Sequence, residues 1–418
     1  MAEKTSKNDP IDDDDEIVEG NVEVIEQDAN QDPEDALADD LIEVDIDDLI
    51  DELERDDEDD NGEEEPYVDD SIFTIEKHNG AVFCIDSYKN LIATGGEDDI
   101  GNVFSFDQES KNLQEIIKTE KFKDSVNNIK FSNDGKYVAM SDMSGLIHVY
   151  LIENKTLHWS HDLETDIETL GWHPNCNILF CSTSDGYFYM FKFSTGEIRV
   201  MYSGDEAGLG CFKILKDGKR AVTAYGNGNV RFWDIKSGQT IHNLLKAHEG
   251  DILSMDLSSD GNILVTGGVD MKVKLINTNN FKVVCELCCE NKPRSGEEAM
   301  EDEQEDSIES ISFCKTLPLL ACATLSGRIY VWDINSHVVR CKFDNKLIGY
   351  TKLMWNNQEQ LYASTLDGGV QVFDGRNLEL IKNLKGHKSE ILDFCFNENL
   401  TIIYTASNDN LVKLFQVS

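Results

Sequence analysis

Asn229-Val-Arg-Phe-Trp-Asp-Ile235 sets β-branched and aromatic side chains in strand-like alternation, and the chain returns to a version of this stretch about every forty residues. Gly327-Arg-Ile-Tyr-Val-Trp-Asp333 is the nearest copy. The copies close on Phe106, Tyr150, Phe191, Trp233, Ile276, Trp332, Phe373 and Phe415. Six residues before each of the last seven stands a turn residue: Ser144, Asp185, Asn227, Asp270, Ser326, Asp367 and Asp409. Alternation of this kind sends successive side chains to opposite faces of a strand, as a sheet packed on both sides requires, and no helical period fits it.

The closing residues are 44, 41, 42, 43, 56, 41 and 42 residues apart. A period of that size with strand alternation is the signature of WD repeats, each supplying a four-stranded blade of a β-propeller. The sequence therefore predicts an all-β, eight-bladed WD40 β-propeller over residues 71–418. Ser71-Ile-Phe-Thr-Ile-Glu76 precedes the first repeat as an isolated strand, and the last repeat stops at Val412-Lys-Leu-Phe-Gln-Val417 with no strand after it. With the strands of a blade named a to d outward, residues 71–76 are expected to supply d for the last blade, closing the ring and removing its free edges.

The charge divides the chain in two. Residues 1–70 hold 33 Asp and Glu against three Lys and Arg, so they contribute -30 to a net charge of -44. So acidic a segment with few aromatics buries too little apolar surface to offset chain entropy and is predicted to be disordered. Ile42, Ile46, Leu49 and Leu53 fall on one side of a notional short helix, but like charges around it oppose its formation. No apolar run reaches a membrane span and the N-terminus lacks a secretory core, so the expected place is the cytoplasm, with the nucleus as a further site. Of the eleven cysteines most lie in predicted strands, and Cys285, Cys288 and Cys289 lack the second pair a zinc ribbon needs.

Antiparallel strands reverse direction at each turn, so the b-to-c turns and d-to-a connections share one face of the ring. That face collects acids: Glu97, Asp98, Asp99, Asp142, Asp185, Asp270, Asp367 and Asp409 in the turns, and Asp124, Asp166, Asp251, Asp306 and Glu390 in the connections. The 56-residue spacing adds an acidic flap there, over 290–307. His78, His248 and His387 each open a repeat, and the last two are matched by Thr266 with Asp270 and by Thr405 with Asp409. Because the set recurs, it reads as a structural hydrogen-bond relay and not a catalytic triad. Gly226-Asn-Gly-Asn229 reads as a β-turn, since no helix follows it. No nucleotide, metal or cofactor site is expected, no calcium-loop order is present, and the chain is not expected to be an enzyme.

Phosphate contacts need Lys and Arg, so the sign of the charge disfavours nucleic acid as a direct partner and favours a basic protein segment, held by charge-assisted contacts. With the repeats in register the chain resembles the WD-repeat family of the angio-associated migratory cell protein and its fungal ribosome-assembly counterpart, the fungal members above all. Gly95-Gly-Glu-Asp-Asp99, Gly171-Trp-His-Pro174, the eight repeats and the widened connection before the sixth carry the likeness, while Ile276 and the scarcity of closing Trp depart from it. The resemblance implies a cytoplasmic, noncatalytic chaperone that captures the basic N-terminus of a large-subunit ribosomal protein, a role that Glu97, Asp142 and the 306–309 segment fit. The chain is expected to be a monomer, and the contact groups expected on its acidic face are Glu97, Asp142, Asp166, Asp185, Asp251, Asp306, Glu309, Glu390 and Asp409. The alternatives are an acidic histone chaperone or a WD-repeat substrate-receptor scaffold; a propeller hydrolase would need a nonperiodic His/Asp/Glu cluster, which is not seen.

Overall fold

The computed structural model describes residues 67–202, 207–289, 306–345 and 348–417. The chain divides at Glu65, and the second unit, Pro66–Ser418, is an eight-bladed β-propeller of 32 strands. The acidic segment up to residue 66 and the flap residues 290–305 lie outside the described residues.

Every blade is a four-stranded antiparallel sheet in the order a-b-c-d. Blade one is Val82–Tyr88, Leu91–Gly96, Gly101–Asp107 and Asn112–Lys118. The eight closing residues of the sequence pattern all fall on strand c and are all buried. Their neighbours on the same strand point the other way, so each sheet offers two apolar faces. Eight apolar clusters result, one at each seam between adjacent blades. Trp355 of blade seven, for example, shares one cluster with Leu319, Ala321 and Val331 of blade six, and among the described residues the core is divided among the seams instead of filling the middle of the ring.

Blade eight is completed out of sequence. Phe73–Ile75 pairs antiparallel with Val412–Gln416, Phe73 opposite Leu414 and Ile75 opposite Val412. Its Ile75 enters the seam with Ile85, Ile92 and Phe104 of blade one, so the closing strand also fastens the first blade to the last. The packed chain begins earlier than residue 71. Tyr67 Oη donates to the Gly386 carbonyl at 2.5 Å, Asp70 N donates to Lys385 O at 2.8 Å, and Lys413 Nζ reaches Asp69 at 2.5 Å.

The channel wall is tied blade to blade by side chains of strand a. Asp86 accepts from Phe131 N at 2.7 Å, Asp256 from Phe313 N at 2.9 Å and Asp393 from Ile85 N at 3.1 Å, while Lys352 pairs with Asp393 at 2.6 Å. Burial pushes the Asp86 carboxyl up. Burial works against the Lys130 ammonium as well, but Asp86 and Asp393 outweigh it and raise its pKa.

Candidate functional site: the acidic face

One hydrogen bond, repeated eight times, builds the face. In each blade the amide after strand b donates to the carbonyl of the residue preceding strand a: 97 to 81, 143 to 125, 184 to 166, 226 to 208, 269 to 251, 325 to 307, 366 to 349 and 408 to 390, all between 2.8 and 3.1 Å. The b-to-c turn and the d-to-a connection are thereby locked side by side, and their side chains form two concentric rings. Glu97 lies on the outer ring, with Asp166, Asp251 and Glu390 on the one inside it.

A third ring comes from a feature the sequence pattern hides. In all eight blades the a-to-b ladder slips by one residue at the second position of strand a, as at Ile167/Thr169, Ile252/Ser254 and Ile308/Ser310. A bulge of this kind re-aims the extra residue, and those residues include Glu168, Leu253 and Glu309 at the channel mouth. Blade four has glycine at all three ring positions, Gly226, Gly208 and Gly210, leaving a gap in the rim beside Asp251. Gly228 in the same turn is fixed by geometry: its φ is +77°, and a Cβ there would lie 1.9 Å from the His248 carbonyl oxygen.

Four of the nine expected contact residues, Glu97, Asp166, Asp185 and Asp251, are exposed. Glu309 and Glu390 are half-buried; Glu309 accepts from Ser307 Oγ and Glu390 from Asn408 Nδ2 at 2.9 Å. The Ser389 hydroxyl holds the Glu390 carboxyl below its ordinary range.

Three of the nine are corrected. Asp142 is wholly buried and accepts from the amides of Lys123, Asp124, Ser144 and Leu146 and from the Ser144 hydroxyl, at 2.8 to 3.2 Å. Asp306 is buried too, bound to Ser307 N and Ser326 N at 2.9 Å and to Ser326 Oγ at 2.5 Å. The side chain of Asp409 is 8% exposed and belongs to the relay with His387 at 2.9 Å. In each case the carboxylate fastens the turn to the connection and has no free face for a partner.

The relay occupies three blades. His248 joins Asp270 at 2.9 Å and Thr266 at 2.8 Å; His387 joins Asp409 and, at 2.7 Å, Thr405. His78 has its own set, Asp98 and Thr94 both at 2.9 Å, which the sequence reading missed because the His-to-Asp spacing there is 20 instead of 22 residues. Burial disfavours the Asp270 anion, but hydrogen bonds from His248 and Glu249 N overcome it and hold the pKa at about 2. With an unfolded value of 3.8, the stability this carboxylate contributes is complete above pH 3.8 and lost as pH falls through about 2. Asp270→Asn is expected to remove that acid-linked loss, about 2 kcal/mol, from the urea stability measured across this window.

Glu168 is the acid that sequence reasoning did not single out. It lies two residues beyond Asp166, exposed at the mouth, and its carboxyl is raised by the surrounding protein and by the Asp166 charge. Two carboxylates that repel one another gain from a cation placed between them. The described ends of both outlying acidic stretches reach this face as well: Tyr67 beside Gly386, and Cys289, whose amide donates to Met271 O in a b-to-c turn at 3.0 Å.

The fold and this face define a WD-repeat propeller with one acidic rim. Residues 238–277 and 378–416 match the model of the WD domain, G-beta repeat. Over 358 residues, 84% of this chain and 80% of the relative, the chain is 34% identical to the angio-associated migratory cell protein of Homo sapiens, and it belongs to that protein's WD-repeat family. Ribosome assembly protein SQT1 of Saccharomyces cerevisiae is 26% identical over 406 residues, 87% of this chain and 92% of that one. Of these two the human relative is the more similar, which corrects the expected leaning toward fungal members. The crystal structure of Saccharomyces cerevisiae Sqt1 superposes with a TM-score of 0.73 at 23% identity, covering 84% of this chain and 99% of that one. Chaetomium thermophilum Sqt1 bound to the N-terminus of the ribosomal protein L10 superposes with a TM-score of 0.71 at 22% identity, covering 84% of this chain and 100% of that one.

Proposed function

We propose that this chain is a ribosome-biogenesis factor, a dedicated escort that holds the basic N-terminal segment of a newly made large-subunit ribosomal protein across its acidic face and delivers it to the assembling subunit. The observation that carries the reading is the concentration of uncompensated carboxylates at the channel mouth, above all the mutually repelling Asp166 and Glu168. Lys and Arg would relieve that repulsion, and the face would steer them in from a distance. The rigid ring is a platform on which no bond is made or broken. Two relatives support the same reading, one being a ribosome assembly protein and the other having been solved with the L10 N-terminus bound. The escort acts in the cytoplasm as a monomer, where such a protein is made.

The test is titration of the full chain with a synthetic N-terminal segment of ribosomal protein L10 from the same organism. Saturable binding that weakens steeply with salt is expected. Absence of binding, combined with recovery of histones or of ubiquitin-ligase subunits from extracts, would favour the chromatin or scaffold alternative.

A further inference from the structure

The acidic face also carries exposed apolar side chains, and apart from Met143 on the outer ring of blade two, 38% exposed, those of the b-to-c turns are grouped. Val269, Leu325 and Leu366 occupy the same outer-ring position in blades five, six and seven and are 41%, 44% and 40% exposed. Leu253, on the bulge of blade five, is 40% exposed as well. Equivalent positions in three consecutive blades make one continuous sector of the rim. Between Leu325 and Leu366 lies Gly349, where a Cβ would stand 2.1 Å from the Leu325 carbonyl oxygen and 2.8 Å from Leu366 Cδ1. The floor between the two leucines is therefore bare backbone, a shallow notch with apolar walls.

Turn tips in water gain nothing from large apolar side chains, whereas covering them with another apolar group is favourable. The charges nearby restrict what can cover them. Asp251 precedes strand a of blade five, Glu309 sits on the bulge of blade six, and Glu390 opens blade eight, so the sector is flanked by carboxylates on both sides. An acidic chain would be repelled, and the occupant must bring cations alongside its apolar groups.

We infer that blades five to seven form an apolar subsite that takes one or two large apolar or aromatic side chains of the captured basic segment. The ligand is then a chain whose Lys and Arg residues are interrupted by apolar ones, and the sector sets its register on the ring, which charge alone cannot do because carboxylates recur around the rim. This inference rests on the basic-segment reading above and adds a specificity element to it.

The full chain is titrated with two synthetic peptides of about twelve residues and equal positive charge, one of Arg, Lys, Gly and Ser only, the other with two Gly replaced by Leu. The Leu-bearing peptide is expected to bind at least about tenfold more tightly, and the ratio should persist as salt is raised, because apolar contact is not screened. In the variant carrying Leu325→Ser and Leu366→Ser the ratio should fall to near one while the Leu-free peptide binds as before. Both positions are exposed, so an unchanged unfolding midpoint is the accompanying control. Equal affinity of the two peptides for the unaltered chain overturns the apolar subsite and leaves the basic reading standing, and so does a ratio that the double variant leaves intact. If neither peptide binds, the basic reading is overturned, and the subsite with it.

Discussion

Asp142→Ala is expected to destabilise the propeller by about 3 to 5 kcal/mol, enough to leave a marginal domain partly unfolded. The carboxylate is fully buried and is the common acceptor for four backbone amides and one hydroxyl. Alanine takes the shared acceptor away from those partly buried donors, and it unfastens the b-to-c turn of blade two from the connection at Lys123 and Asp124. Urea unfolding of the variant beside Asp251→Ala measures the difference. Asp251 is exposed on the same face, and its removal should change the midpoint little. If the two variants unfolded alike, the structural role assigned to Asp142 would be wrong.

The second large effect is on binding. Changing Asp166 and Glu168 together to Lys turns an attraction at the mouth into repulsion, and affinity for the basic segment is expected to fall by about 2 to 5 kcal/mol, about thirtyfold or more. Glu168→Gln separates function from fold. Because the Glu168 carboxyl is raised in the folded chain, the stability linked to it is complete below its ordinary value of 4.5 and is lost as pH rises through the folded value. The neutral amide should therefore keep or raise stability at neutral pH while weakening the complex. Controls belong on the opposite face at exposed Glu153 and Glu398. Asp134 and Asp217 are poor controls despite lying on that face, since they brace the a-to-b turns through Lys136 N at 3.1 Å and Lys219 N at 2.8 Å. Lys at Glu153 or Glu398 weakening binding as much as Lys at Asp166 and Glu168 would move the site off the acidic face.

Binding energy and folding energy thus come from different carboxylates on one face, and the same residue type serves both. Asp166 and Asp142 are each the acid nearest the junction of turn and connection in neighbouring blades. One points to water and the other accepts five hydrogen bonds. Blades one, five and eight meet the need for that fastening with His, hydroxyl and Asp, while blades two and six meet it with Asp142 and Asp306 alone. Such substitution is open to a repeat fold because the requirement is an acceptor or relay bridging turn and connection, and more than one side-chain set fills that gap.

The sequence by itself determined the number of blades, the strand on which each closing residue lies and the face on which the acids gather. All three follow from the forty-residue repeat of strand-forming tracts and from the reversal of direction at every antiparallel turn, which leave no freedom once the repeats are in register. It also determined that His248 and His387 form relays, because their spacing to Thr and Asp is the same. Only the tertiary structure decided which acids are available. Whether a carboxylate at a turn faces water or the neighbouring connection depends on amides brought close by folding, from residues 18 and 19 positions away at Asp142 and 20 away at Asp306. Nor does alternation reveal the bulge in every strand a that turns Glu168, Leu253 and Glu309 to the mouth, because the one-residue slip belongs to the pairing of two strands and leaves no mark on either strand alone.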